Sequence, residues 1–167
     1  MKKLFLVSLS MILLSVFFAG SASTATAQEP KILEFDTMVG VPSTLTGAQS
    51  QAPLRGINGG GAPWVITSAH GELTTSGHLE IEVVGLVLAT TGSNPAAVFR
   101  GRVSCVKSDG TFENNILTEA FPATTGLASA GGGNAKIEAD VTLPQPCIAP
   151  IIFVTNNGGS WFAATGN

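Results

Sequence analysis

Polar and apolar residues alternate along most of this chain, and the alternation is clearest between residues 64 and 89. Every second residue from 69 to 74 and from 78 to 83 is apolar or glycine, which is typical of strands with one buried face. The core-facing positions predicted by this pattern are Ala69, Gly71, Leu73, Leu79, Ile81 and Val83.

The loop Thr75-Ser76-Gly77 joins these two strands and sets their register. A three-residue loop that ends in glycine suits a type I turn followed by a left-handed residue. It places Glu72 opposite Glu80 and His70 opposite Glu82, with the apolar residues together on the other face. A loop shorter by one residue would lose this match, because a one-residue slip exchanges the two faces of a strand.

The outer face of this hairpin changes from polar near the loop to apolar farther away. Such an apolar end must be covered by another segment of the chain or by a partner. Its residues are Trp64, Ile66, Val84, Leu86 and Leu88.

Shorter alternating runs recur through the rest of the chain, and no stretch of 10–15 residues has helical spacing. We therefore predict a single antiparallel β-sandwich of immunoglobulin-like or jelly-roll type with about eight strands. A flattened β-barrel is the alternative. Beyond the 64–89 region, the predicted strands are 32–39, 97–107, 112–121, 135–143, 148–155 and 160–165.

Two of these regions carry more detailed predictions. Arg100 and Arg102 alternate with apolar residues, so they should point outward and either meet an anionic ligand or pair with a nearby glutamate. Asn157-Gly158 favours a two-residue turn in the last hairpin, which would set Phe153 opposite Phe162.

Glycine-rich segments separate some of the predicted strands. Residues 42–63 are predicted to form a long surface connection. The stretch 58–63 has some likeness to a phosphate-binding loop, but it lacks Gly-Lys-Ser/Thr and precedes a strand instead of a helix. We interpret it, and Gly131-Gly132-Gly133, as flexible connecting chain.

Residues 1–27 have the pattern of a secretory signal peptide. A positive start at Met1-Lys2-Lys3 precedes a run of 15 mostly apolar residues and then small residues up to Ala27. That run is shorter than the ~20 residues of a membrane-spanning helix. We therefore predict cleavage near Ala27, a secreted or periplasmic protein, and one domain at 28–167 without a membrane span.

Charge and cysteine content narrow the possible functions. Removing residues 1–27, with two lysines, from the 167 leaves 140 residues, 6 basic against 11 acidic, a net charge of −5. An acidic chain of this kind lacks the basic surface that binds nucleic acid or anionic membrane. Cys105 and Cys147 are predicted to form a disulfide, since paired cysteines are typical of exported proteins.

The polar face of the hairpin is a candidate metal site. Its members are His70, Glu72, His78, Glu80 and Glu82. Facing glutamates repel each other, and a divalent cation bound by carboxylate and imidazole ligands would neutralise them. The simpler interpretation is an exposed polar face with no cofactor.

Other chemical signals are weak. We find no catalytic motif and assign no catalytic residue. Trp64 and Trp161 could form an aromatic platform for a sugar ring, or they could pack in the core.

Three functions follow from these observations. The leading hypothesis is an exported, non-enzymatic β-sandwich that binds an unknown protein or glycan at or outside the cell surface. A metal- or carboxylate-dependent hydrolase built on His70, Glu72, His78 and Glu80 is the second hypothesis. A carbohydrate-binding module that uses Trp64 or Trp161 is the third.

Overall fold

The computed structural model describes residues 29–45 and 53–165, so the predicted signal peptide lies outside the described residues. The described chain is an antiparallel β-sandwich, as predicted, and neither main sheet closes into a barrel. It contains no helix with the length and apolar character that crossing a membrane requires. The strands are β1 (Lys31–Phe35), β2 (Met38–Gly40), β3 (Trp64–Val65), β4 (Ser68–Thr74), β5 (His78–Val84), β6 (Val87–Leu88), β7 (Ser93–Asn94), β8 (Val98–Val106), β9 (Phe112–Leu117), β10 (Phe121–Pro122), β11 (Gly126–Leu127), β12 (Ala135–Asp140), β13 (Ile148–Thr155) and β14 (Trp161–Thr165).

Two sheets form the sandwich. Sheet A has the order β1-β4-β5-β12. Sheet B has the order β10-β8-β13-β14-β2, and β9 pairs with the other half of the β8 edge. Two short pairs, β3–β6 and β7–β11, complete the structure.

The core lies between the two sheets. The alternating apolar residues of both sheets meet there, and their burial provides the main stabilisation, about 1.5–3 kcal/mol for each large side chain. Fully buried members include Leu73, Leu79, Ile81, Ile137, Phe99, Val103, Ile152 and Val154.

The predicted register of the β4–β5 hairpin is confirmed. Glu72 lies opposite Glu80, and His70 lies opposite Glu82. Gly77 has the expected positive φ, +99°.

The apolar end of that hairpin is covered by the chain itself. The strands break near Gly85, which has a φ of +66°, and continue as the separate pair β3–β6. The Trp64 ring stacks on Phe162, with ring centroids 3.9 Å apart. Leu86 is fully buried, and its N–H donates to the Gly133 carbonyl at 3.0 Å.

The predicted first strand, 32–39, is two strands in different sheets. β1 joins sheet A beside β4, and β2 joins sheet B beside β14. The chain crosses between the sheets at Asp36 and Thr37, so the number of strands exceeds the sequence-based expectation.

The predicted register of the last hairpin is wrong. Phe153 pairs with Ala164 instead of Phe162, and Thr155 pairs with Trp161. The Asn156 side chain accepts a hydrogen bond from Ser160 N at 3.1 Å, and this bond closes a turn longer than two residues. A register shift in the hairpin accompanies the burial of Phe162 against the core.

The connection at 42–63 is also more than a surface loop, because residues 53–63, the longer of its two described parts, pack on the outer side of sheet B. Ile57 is buried, and its carbonyl accepts a hydrogen bond from Trp161 Nε1 at 3.0 Å. A Cβ atom on Gly59 would lie 1.9 Å from the Leu45 carbonyl oxygen. Close backbone packing, not flexibility, therefore requires this glycine.

Candidate functional site

The solvent-facing side of sheet A, here called the charged face, carries a row of glutamates across all four strands. Glu34 lies opposite Glu72, Glu72 opposite Glu80, and Glu80 opposite Glu138. Like charges in facing positions destabilise a sheet unless something neutralises them.

Two lysines provide that neutralisation. Lys31 Nζ lies 2.9 Å from Glu34 Oε1 and 2.6 Å from Glu72 Oε2. Lys136 bridges the other two glutamates of the row at 2.9 and 3.1 Å. The ion pair with Lys136 lowers the pKa of Glu80. The glutamate partners of Lys31 and Lys136 raise the pKa of both lysines.

The two histidines also have acidic partners on this face. His78 Nδ1 lies 2.9 Å from Asp140 Oδ1, and this hydrogen bond raises the pKa of His78. His70 Nε2 lies 3.4 Å from Glu82 Oε2.

All five predicted metal-ligating residues therefore lie on one face, but the geometry does not favour a metal centre. Across residues 29–45 and 53–165, no three His, Cys, Asp or Glu side chains are grouped so that they could hold a metal ion. Lys31 and Lys136 supply the positive charge that the metal hypothesis assigned to a cation.

The two tryptophans do not form an exposed platform for a sugar. Trp64 is 5% exposed and stacks on Phe162, and Trp161 is 3% exposed and packs near Phe153. Both rings belong to the hydrophobic packing, which was the other interpretation of these residues.

The arginines of β8 have structural partners instead of the glutamates that the sequence predicted. Arg100 Nε donates to the Thr118 carbonyl at 2.8 Å. Arg102 donates to the carbonyls of Asn114 and Gly159 at 2.6 and 2.7 Å. Both arginines thus bond to main-chain carbonyls in or next to β9, and Arg102 also bonds to the loop of the last hairpin.

Cys105 and Cys147 form the predicted disulfide. Cys105 lies fully buried near the end of β8, and Cys147 immediately precedes β13. The bond therefore fixes the start of β13 beside the strand with which it pairs.

A groove that the sequence did not reveal lies at the side of the sandwich, where β9 of sheet B faces the end of β12 in sheet A. We call it the seam groove; its volume is about 540 Å³, within the usual range for ligand sites. At its far end the seam is closed by a bridge between Ala123 and Ala135. The groove is lined by Glu113, Asn115, Ile116, Leu117, Asp140, Val141, Thr142, Leu143 and Pro144.

The seam groove combines apolar and polar lining residues. Ile116, Val141 and Leu143 are buried, at 7–9% exposure, and form its apolar part. Glu113 and Asp140 add two carboxylates. An apolar surface with a few polar groups is the usual composition of a ligand site.

A β-bulge in β9 shapes one wall of the groove. Val103 pairs with Ile116 and Cys105 with Glu113, so two residues of β9 lie opposite the single residue Ser104. The bulge turns Glu113 to the same side as Ile116, toward the other sheet.

Three polar contacts hold the bulge in place. The Asn114 side chain accepts a hydrogen bond from Ser104 Oγ at 2.6 Å and donates to the Arg55 carbonyl at 2.7 Å. Arg102 Nε donates to the Asn114 carbonyl. Segment 53–60 therefore supports the groove from the opposite side of sheet B.

The other wall depends on the hairpin loop. Val141 N donates to the Gly77 carbonyl at 2.9 Å, which extends β12 past its last paired residue. Val141 and Leu143 alternate with polar residues in the predicted strand 135–143, and both are buried. The sequence pattern does not show that the seam groove lies beside these two residues, because that depends on which strands form the edges of each sheet.

Comparisons with protein-family models, with curated proteins and with solved structures find no match to this chain.

Proposed function

We propose that this protein is an exported, non-enzymatic β-sandwich that binds a partner at or outside the cell surface, and that the seam groove is its binding site. The observation that carries the proposal is the groove itself, an apolar surface with two carboxylates between the edges of two sheets. The half-apolar hairpin face that first pointed to a partner does not support it, because Phe162 and Gly133 cover that end.

The composition of the groove favours binding over catalysis. Its lining residues, all within the described chain, include no histidine, cysteine, serine or lysine. Thr142 is the one hydroxyl residue among them, and no histidine lines the groove to activate it. The glutamates of the charged face are ion-paired with lysines, which gives the hydrolase hypothesis no support there.

Two features support export. The pattern of residues 1–27 is that of a secretory signal peptide, and the Cys105–Cys147 disulfide is typical of an oxidising compartment. We expect the protein recovered outside the cytoplasm to begin at Gln28 by intact mass. A full-length chain that stays in the cytoplasm would contradict this part of the proposal.

Filling the groove tests the binding site. We expect Asn115→Trp, at an exposed lining position, to abolish a binding signal found in a screen of peptides and oligosaccharides. The matched control is Asn157→Trp, which adds the same side chain in an exposed turn. Equal effects of the two variants on every ligand, or reproducible turnover on a panel of hydrolase substrates, would refute the proposal.

A further inference from the structure

We infer that the seam groove takes an extended peptide that carries apolar and basic residues on the same face and adds as a strand to the outer edge of β9. The inference rests on the proposed function, because it specifies the ligand class of that same groove. Within the described residues β9 pairs only with β8, so its other edge faces the groove. An exposed strand edge is a template for an added strand.

The hydrogen-bond pattern shows which groups of β9 are available. Thr118 N donates to the Gly101 carbonyl at 2.9 Å, so Thr118 directs its N–H toward β8. Backbone groups of successive residues point to opposite edges of a strand. Leu117, which lies opposite Arg102, therefore directs its N–H and carbonyl away from β8, toward the groove.

The neighbouring position on this edge is protected by a side chain. Glu113 Oε1 accepts a hydrogen bond from Asn115 N at 2.9 Å. Charged side chains on an edge strand discourage unspecific strand pairing. A basic residue of an incoming peptide would draw the Glu113 carboxylate into an ion pair and release Asn115 N for the added strand.

The opposite wall favours β9 over β12 as the strand that is extended. Val141 N is already bonded to Gly77, and Pro144 has no N–H to donate. This wall instead provides apolar side-chain contacts for the peptide at Val141 and Leu143.

Charge complementarity identifies the peptide. Glu113 lines the groove without a basic partner among the described residues, whereas Asp140 is already paired with His78 at 2.9 Å. In an extended peptide alternate side chains point the same way. Because Glu113 and Ile116 lie on the same side of β9, a basic residue would meet Glu113 while apolar residues two positions away contact Ile116, Val141 and Leu143.

The test uses acetyl-Val-Thr-Lys-Thr-Val-amide, whose valines and lysine share one face, and two analogues. One analogue replaces the lysine with glutamate, and the other has N-methyl groups on alternate peptide nitrogens, which removes the hydrogen bonds of one strand edge. We expect the parent peptide to bind by calorimetry and each analogue to bind at least about tenfold more weakly.

Protein variants localise the binding. Glu113→Gln should weaken binding of the parent peptide about five- to tenfold. Glu119→Gln, which makes the same change at an exposed position outside the groove lining, should leave binding unchanged. Backbone amide shifts of isotope-labelled protein should change in residues 113–118 and 140–143.

The outcomes separate this inference from the proposed function. Equal affinity of the N-methylated peptide, amide shift changes confined to the charged face, or a dimer of this chain through β9 would each overturn strand addition. If these peptides fail while Asn115→Trp still abolishes binding of another ligand, only the inference falls. If Asn115→Trp and Asn157→Trp never differ, the proposed function falls as well.

Discussion

Gly77 connects the hairpin to the seam groove at the scale of a single residue. Its φ of +99° is favourable only for glycine, and a Cβ atom at this position would lie 1.9 Å from the Val141 carbonyl oxygen. The same residue accepts the hydrogen bond from Val141 N. The turn and one wall of the groove thus require the same glycine.

We expect Gly77→Ala to destabilise the protein by about 2 kcal/mol or more, since backbone strain and a steric clash act together. Gly110→Ala is the matched control, because Gly110 also has a positive φ, +80°, but has open space around its Cβ position. Gly110→Ala should lower the free energy of unfolding by about 1 kcal/mol. Urea unfolding measures both values, and equal losses would show that the contact with Val141 is unimportant.

His78 should make stability depend on pH. Asp140 raises the pKa of His78, and Glu138 and Glu80 contribute to the same effect. A raised pKa in the folded state means that the stabilisation is complete below the ordinary value of about 6.5 and is lost as the pH rises through the folded value.

The unfolding free energy should therefore decrease between about pH 6 and pH 8, by about 0.2–1 kcal/mol as for other exposed ion pairs. His78→Gln should remove this decrease. His70→Gln, which leaves the pair of His78 with Asp140 in place, should retain it. Stability that rises over this interval in the unmodified protein would contradict the assignment.

At the scale of the strands, the row of four glutamates makes sheet A dependent on two lysines. Lys31 joins β1 to β4, and Lys136 on β12 bonds to Glu80 on β5. The outer two pairs of strands are thus each held by a lysine, while Glu72 and Glu80 face each other in the middle.

We expect Lys31→Met and Lys136→Met each to lower the melting temperature at low salt, and the double variant to lower it further. Most of the difference should disappear at about 1 M NaCl, where the screening length is about 3 Å. Lys107→Met, which removes a lysine outside sheet A, is the control and should change the melting temperature less. Salt-independent losses would point to packing of the lysine side chains instead.

At the scale of the whole molecule, the disulfide joins β8 to β13 and also restricts the conformations that the unfolded chain can adopt. It links residues 42 positions apart in the sequence. Closing such a loop lowers the entropy of the unfolded state, and disulfides of small exported domains contribute about 2–5 kcal/mol.

The double variant Cys105→Ser/Cys147→Ser should have a free energy of unfolding about 2–5 kcal/mol lower, as measured by urea unfolding. Reduced unmodified protein serves as the control and should unfold at a similar midpoint. Free thiols in the oxidised, exported protein would contradict the bond.

The two hairpins show how far sequence patterns reach. In β4–β5 the loop residues and the alternation agreed, so the register was predictable although it sets Glu72 opposite Glu80. In the last hairpin Asn157-Gly158 predicted a two-residue turn, but Asn156 bonds to Ser160 and Phe162 packs on Trp64. Contacts with a distant strand outweighed the local preference of the turn.

The sequence by itself determined the all-β class, the inward and outward faces of the main strands, the β4–β5 register and the cysteine pair, because alternation and turn chemistry are local properties. Only the tertiary structure decided that the tryptophans are buried, that lysines neutralise the glutamates, and that β9 and β12 leave a groove between them. These outcomes depend on which strands become neighbours across the two sheets, and residues far apart in the chain carry no local pattern that specifies it.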